Sequence, residues 1–94
     1  MSVMNHTQIQ IKIERKADVL KRVPFSRATL HRKINDGTFP PSIPLGANSV
    51  GFLSHEIDTF LAAIVVGQDL QQVVATLVEQ RQALFDNSFL SLAA

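Results

Sequence analysis

The spacing of hydrophobic positions changes from two residues to three or four near the start of this chain. Residues 8–13 alternate between polar side chains and isoleucine, which predicts a half-buried strand or, if nothing in the chain pairs with it, a dimer edge. Residues 14–22 then predict a short helix. Its apolar side chains face the core: Ala17, Val19, Leu20 and Val23. Pro24 ends this helix, because its ring fixes φ and restricts the preceding residue.

The next stretch carries its own start and stop signals for a second helix. Ser26 is a favourable N-cap, and Phe25 before it is placed to pack on Leu30. Gly37 supplies the left-handed residue at which helices often end. A step of 100° per residue places Ile34 beside Leu30 on the inner side. The polar outer face holds Ala28, Arg32 and Asn35, with Thr29 and His31 on its flanks.

A hairpin and a packing helix are predicted after this basic helix. Three prolines within residues 39–45 rule out a helix there, and Pro44 restricts any strand to a sheet edge. Residues 45–52 place turn residues between apolar ones, which predicts a small hairpin, or wing. Ser54 is the predicted N-cap of the following helix, and Gly67 interrupts it. The predicted buried face of that helix is Ile57, Phe60, Leu61 and Ile64.

The same periodicity continues after the break and predicts one more helix, to about Leu84. Its apolar stripe is Leu70, Val73, Val74, Leu77 and Val78, opposite a glutamine-rich face. This stripe is too apolar to stand alone, so it either folds back on the domain or meets a second copy of the chain. Phe89, Leu90 and Leu92 could extend the same contact.

Composition indicates one small globular protein without a membrane segment. The 94 residues are 46% hydrophobic and 18% charged, as in folded domains. The absence of cysteine suits a reducing cytoplasm, which is the predicted location. The longest apolar run, residues 60–66, is too short to span a bilayer, and the first ten residues lack the features of a signal peptide.

Charge is distributed unevenly along the chain. From Lys12 to Lys33 there are eight cations and two acids, a net charge of +6, whereas Ile34 to Ala94 carry one cation and six acids, a net charge of −5. The first part therefore suits a polyanionic partner. Its second helix would be about 16 Å long, which is short enough to lie in a DNA major groove about 12 Å wide.

Catalytic chemistry is poorly supported by the residues present. His6, His31 and His55 lack the spacing of metal ligands, and there is no cysteine beside them, so we expect no metal site. Glu56 and Asp58 are two residues apart on a predicted helix and therefore do not form an acid and base pair. The glycines occupy turn or break positions rather than a phosphate loop. We expect a binding protein, not an enzyme, that needs no cofactor.

Three motifs in the middle of the chain resemble the AlpA family of small prophage-associated regulators. They are Ser-Arg-x-Thr-Leu-x-Arg at 26–32, Gly-x-Phe-Pro at 37–40 and Glu-Ile-Asp-x-Phe-Leu at 56–61. The resemblance implies a mostly α fold with a small β-hairpin, a MerR-like or excisionase-like winged helix-turn-helix. An N-terminal strand and a C-terminal helix would be added to it. The predicted units are an arm at 1–13, the DNA-binding domain at 14–66, and a helix and tail at 67–94 for oligomerisation.

The resemblance also implies DNA binding through the second helix and the wing. It assigns groove and phosphate contacts to Ser26, Arg27, Thr29, His31 and Arg32, and structural roles to Gly37, Phe39, Pro40, Phe52, Ile57 and Phe60. With the cations and the outer face of the helices included, the candidate DNA-binding residues are Lys16, Lys21, Arg22, Ser26, Arg27, Ala28, Thr29, His31, Arg32, Lys33 and Asn35. The chain departs from the family at Pro24, where glycine is usual, and at the neutral wing tip, residues 46–49.

The leading hypothesis is a sequence-specific, AlpA-type transcriptional regulator of a prophage or mobile element that binds double-stranded DNA. One alternative is an excisionase that bends DNA for an integrase, and another is a protein-interaction module that binds no DNA. One small domain contacts few base pairs, so we expect a homodimer or a cooperative array through residues 67–94 or the 8–13 strand. An integrase or RNA polymerase would be a further partner.

Overall fold

The structure, a computed structural model, describes residues 11–93, with side chains described to residue 83. In chain order the elements are β1 (Ile13–Arg15), α1 (Lys16–Arg22), α2 (Arg27–Asp36), β2 (Ile43–Gly46), β3 (Ser49–Leu53), α3 (Ser54–Val66) and α4 (Leu70–Ala93). The central strand β3 pairs antiparallel with both β1 and β2. This mostly α architecture with a three-stranded sheet is compatible with the winged helix-turn-helix class, as predicted.

Aromatic side chains form the centre of the core. The ring of Phe39 is fully buried and lies edge-on to those of Phe25, Phe52 and Phe60, with centroid separations of 6.1, 5.8 and 4.7 Å. Each such aromatic pair stabilises the fold by about 0.5–1.5 kcal/mol in addition to the effect of burying the rings. Val19, Leu30 and Ile57 complete the fully buried cluster. Because these residues come from all three short helices and the sheet, the core fixes α2 against the rest of the domain.

The N-terminal strand β1 begins and ends later in the chain than the sequence predicted, and it runs directly into α1. Ile13 pairs with Leu53 and Arg15 with Gly51, so the strand pairs within the chain. Residues 8–10 of the predicted strand lie outside the described residues, and residues 11 and 12 are not in a strand. The predicted start of α1 was wrong by two residues, because the backbone of residues 14 and 15 completes the ladder with β3.

Three side-chain expectations for α1 and α3 were wrong. Ala17 is exposed, since the buried stripe of α1 runs through Val19 and Val23. Ile64 is 39% exposed, and Ala63 takes its place on the buried face of α3. Ser54 does not cap α3 with its side chain. Its hydroxyl instead donates to the carboxylate of Glu14, which joins the start of α3 to β1.

The predicted wing is present as the β2–β3 hairpin. Pro44 lies in β2, which is an edge strand of the sheet, where a residue without an N–H is tolerated. The turn consists of residues 47 and 48, with Gly46 at φ 137° and Asn48 at φ 61°. Asparagine is one of the few non-glycine residues that adopt this left-handed region readily. The exposed tip is neutral, as its sequence indicated.

The C-terminal helix α4 folds back on the domain over its first half. Val74 and Leu77 are 5% and 3% exposed. Arg81 donates to both oxygens of the Glu56 carboxylate at 2.7 Å and also to the carbonyl oxygen of Pro41 at 2.6 Å. The contacts predicted for Phe89, Leu90 and Leu92 lie outside the described side chains. No helix within residues 11–93 has the length and apolar character needed to cross a membrane.

Candidate nucleic-acid interface

Helix α2 is positioned by signals in its own sequence and by one buried anchor. The Ser26 hydroxyl accepts a hydrogen bond from the Thr29 N–H at 3.3 Å, which is an N-cap. Gly37 ends the helix at φ 78°, and its N–H donates to the carbonyl of Ile34. Leu30 is fully buried, so the opposite face of α2 is turned to solvent. The predicted start, end and inner side of this helix are confirmed.

The outer face of α2 is polar and accessible. Its exposed residues are Arg27, Ala28, His31, Arg32 and Asn35. Thr29, at the edge of this face, receives hydrogen bonds from the Ser26 hydroxyl at 3.2 Å and from Nη2 of Arg32 at 3.4 Å. The guanidinium of Arg32 is therefore directed along the outer face by a contact within the helix.

Helix α1 contributes a further cation to this face. Lys16, the first residue of α1, is half-buried, and its Nζ lies 3.1 Å from Nε2 of His31. A lysine side chain can bury its aliphatic stem while its ammonium reaches outward. The two helices thus present Lys16 and His31 together, although they are separated by fifteen positions in the chain.

Other predicted cations have carboxylate or aromatic neighbours. Arg22 pairs with the carboxylates of Glu14 and Asp58. The hydrogen bond to Asp58 raises the pKa of Arg22 most, desolvation opposes it, and the charge of Glu14 raises it further. Lys33 is half-buried, with its Nζ 5.4 Å from the centroid of the Phe25 ring.

Lys21 remains the most accessible of the cations on α1. Its side chain is 80% exposed, and its Nζ lies 3.8 Å from the carboxylate of Asp18 one turn earlier. A pair of this exposure and separation contributes little to stability. Its charge is therefore available to a phosphate.

Sequence reasoning did not find the partners of Arg22 or the contact between Lys16 and His31. The charges of Glu14 and Asp58 were visible, but nothing in their local pattern indicated that the fold would bring both to one guanidinium. These contacts depend on how β1, α1 and α3 meet. Among the described residues, no group of three or more His, Asp or Glu could hold a metal ion.

The β2–β3 hairpin with its neutral tip and the accessible, basic helix α2 are features of a winged helix-turn-helix protein, and this is the class to which the chain belongs. Within that class, the chain belongs to the family described as prophage CP4-57 regulatory protein (AlpA), whose model matches residues 12–64. The resemblance drawn from the sequence motifs is thereby confirmed. Membership of this family indicates a phage-associated regulatory DNA-binding protein.

A curated relative comes from a phage. The uncharacterized protein ORF88 of Enterobacteria phage P4 is 30% identical over 59 residues, which cover 63% of this chain and 67% of the relative. No solved structure was found to match this chain. The matched family region stops within α3, so α4 lies outside it.

Proposed function

We propose that this protein is a sequence-specific transcriptional regulator that acts in the cytoplasm and places α2 in the major groove of double-stranded DNA. One observation carries the proposal: Leu30 is fully buried, while the opposite face of α2 exposes Ala28, Arg32 and Asn35. The ten residues of α2 make a helix about 15 Å long, which suits a groove about 12 Å wide.

The residues of the interface divide by chemistry into base readers and phosphate binders. Arginine can bind the O6 and N7 atoms of guanine through two hydrogen bonds, and asparagine can do the same to adenine. We therefore assign base reading to Arg32 and Asn35, and close approach to the small side chain of Ala28. We assign phosphate contacts to Ser26 and Arg27, which lie at the start of α2, and to Lys21 of α1, whose side chain is 80% exposed. Arg22 and Lys33, held by intramolecular partners, would mainly orient α1 and α2.

We infer that more than one copy binds each operator. One domain of this size covers few base pairs, and useful specificity needs several more contacts. The first half of α4 packs on its own domain through Val74 and Leu77, so residues 82–93 are the part of the helix that we propose for contact between copies. The wing tip is neutral, which leaves most of the DNA affinity to α1, α2 and this pairing.

Replacement of Arg32 and of Lys21 by alanine should have different consequences for DNA binding. Arg32→Ala should relax the preference at one base pair, at a cost of about 1–3 kcal/mol on the preferred sequence. Lys21→Ala should weaken binding to all sequences alike and lower the salt slope by about one. Gel-shift titrations over a salt series measure both quantities. Equal, sequence-blind losses for both variants would remove Arg32 from base reading.

Selection of bound DNA from a random pool, followed by footprinting, tests the function as a whole. The expected result is an enriched motif protected as two half-sites about 34–36 Å apart or a multiple of this distance. A DNA-bending assay on the selected site then separates regulation from an excisionase role, because an architectural factor bends its DNA strongly. Absence of binding at low salt would contradict both and favour a protein-interaction module.

A further inference from the structure

The outer face of the three-stranded sheet is apolar, although it is turned away from the aromatic core. Phe52 of β3 is fully buried in that core, so its neighbours Gly51 and Leu53 lie on the opposite side of the strand. The register places Ile13 opposite Leu53, and therefore on the same outer side. Leu53 is buried where α3 begins, but Ile13 and Leu45 are both 45% exposed. Outward positions of an antiparallel sheet are ordinarily polar, so this face resembles one that another element covers.

The exposed apolar side chains form one patch rather than isolated positions. A Cβ atom at Gly51 would lie 2.5 Å from Cγ2 of Ile13 and 2.9 Å from Cδ1 of Leu45, so side chains from β1 and β2 meet over the centre of β3. Ile11, two residues before Ile13, is 52% exposed. Contiguous apolar surface marks an interaction site, whereas single exposed hydrophobic residues do not. We call Ile11, Ile13 and Leu45 the sheet patch.

The C-terminal half of α4 extends past the helix on which α4 packs. Helices α3 and α4 run in opposite directions from the turn at Gly67, and Arg81 already reaches Glu56, the third residue of α3. Residues 82–93 continue as helix for about 18 Å more. The sheet patch is exposed although α4 continues to Ala93, so the chain's own helix does not cover it.

We propose that residues 82–93 of one copy of this chain pack on the sheet patch of a second copy. The sequence spaces Phe85, Phe89 and Leu92 at intervals of four and three residues, which is the spacing of one side of a helix. Asp86 borders that side and is the one charged residue of the segment. The contact rests on the proposed function, which requires more than one copy at each operator, and it names the surfaces by which those copies pair.

Charge complementarity favours a second copy as the occupant of the sheet patch. Arg15 is opposite Gly51 in the ladder between β1 and β3, so its exposed side chain lies on the same face as Ile13. A cation beside an apolar sheet face thus matches Asp86 beside an apolar helix side. The basic N-terminal part and the acidic remainder of the chain make the same match on a larger scale. If each copy gives its helix and receives the other, the contact closes as a two-fold dimer.

A charge-reversal cycle on the full chain tests the pairing of Arg15 with Asp86. The wild type, Arg15→Glu, Asp86→Lys and the double variant are compared by sedimentation equilibrium at low salt, without DNA, over a series of concentrations. Circular dichroism first establishes that each variant is folded. We expect a wild-type dimer. Each single reversal brings like charges together and should weaken the dimer by about 10-fold, whereas the double variant restores an opposite pair and should recover most of the loss.

Replacement of the sheet patch tests the apolar part of the contact. The variant Ile13→Thr/Leu45→Thr keeps residues suited to strands or their ends and removes apolar area, so it should weaken the dimer by about 10- to 100-fold. Val65→Thr/Val66→Thr is the matched control, because these two valines of α3 are 84% and 68% exposed and lie outside the proposed contact. The control should leave the dimer unchanged.

Three results would overturn the contact. The first is a wild type that stays monomeric throughout the concentration series. The second is a dimer that responds neither to the charge reversals nor to the change of the sheet patch, which would mean that the copies pair elsewhere. The third is a monomer whose urea stability falls in each reversal and recovers in the double variant, because residues 82–93 would then cover the sheet of their own chain.

Failure of the proposed function would look different, because the dimer is measured without DNA. A wild-type dimer with the expected responses that binds no DNA at low salt would keep the contact and remove the regulator. A wild type that protects a defined DNA site as a monomer, and whose Arg32→Ala variant relaxes one base pair, would keep DNA reading and remove the contact.

Discussion

Phe39→Ala is expected to destabilise the protein by about 3–5 kcal/mol, the usual cost of removing a buried aromatic ring. Phe39 is fully buried and contacts three other rings, from the turn before α2, from β3 and from α3. Its removal would leave a cavity at the point where all these elements meet. Small domains are stable by only about 5–15 kcal/mol, so this variant should be close to unfolded at physiological temperature.

Urea denaturation followed by circular dichroism measures this loss. Phe25→Ala is the matched control, because Phe25 is only half-buried although it contacts both Phe39 and Phe60. We expect a clearly smaller loss for Phe25→Ala and an unchanged denaturant slope for both variants. A loss below 1 kcal/mol for Phe39→Ala would show that the aromatic cluster is not the centre of the core. DNA binding should fall in parallel with the folded fraction.

Sequence reasoning correctly predicted the features that are determined by a few neighbouring residues. Helix α2 was predicted from Ser26, Gly37 and the spacing of Leu30 and Ile34. The first two cap backbone groups at the ends of the helix, and the spacing defines its inner face, so all these signals are local. The edge position of β2 followed from Pro44 alone, because a missing N–H excludes a central strand. The polar outer face of α2 likewise follows from helical periodicity alone and needs no tertiary contact to specify it.

The features that sequence reasoning missed depend on contacts between segments that are distant in the chain. Glu14 was assigned to α1, but its pairing with β3 holds its backbone in the extended conformation of a strand. Its carboxylate accepts hydrogen bonds from Arg22 and Ser54. Serine is a favourable N-cap residue, yet the hydroxyl of Ser54 donates a hydrogen bond to the Glu14 carboxylate instead. The choice for α4, between folding back and meeting a second copy, was open for the same reason. A stripe of apolar residues does not specify its partner.

The partner of α4 is specified by a charge pair that joins it to α3. Glu56 is 1% exposed, and Arg81 binds both its oxygens. A buried carboxylate without a partner is costly, so Glu56 requires a donor at this position. The additional bond from Arg81 to the Pro41 carbonyl ties α4 to the segment between α2 and the wing. Helix α4, although outside the family match, is thus joined to the matched region by the polar contacts of Arg81 as well as by the buried Val74 and Leu77.

Arg81→Met is therefore expected to cost about 3–5 kcal/mol, the usual effect of removing one partner of a buried pair. Methionine replaces the stem of Arg81 but leaves the Glu56 carboxylate buried and unpaired. The double variant Glu56→Met/Arg81→Met removes both charges and should recover most of the loss, because replacement of a whole buried pair by apolar residues is often neutral. The difference measured in urea denaturation isolates the coupling between the two residues.

Lys21→Ala provides the control for charge removal at the surface. Its pair with Asp18 is exposed and 3.8 Å long, so the change should alter stability by no more than about 0.5 kcal/mol. If Arg81→Met proved as mild as Lys21→Ala, Glu56 would have to find water or another donor, and α4 would be only loosely attached. If instead the double variant stayed as unstable as Arg81→Met, the bond to Pro41 rather than the charge pair would be what holds α4 in place.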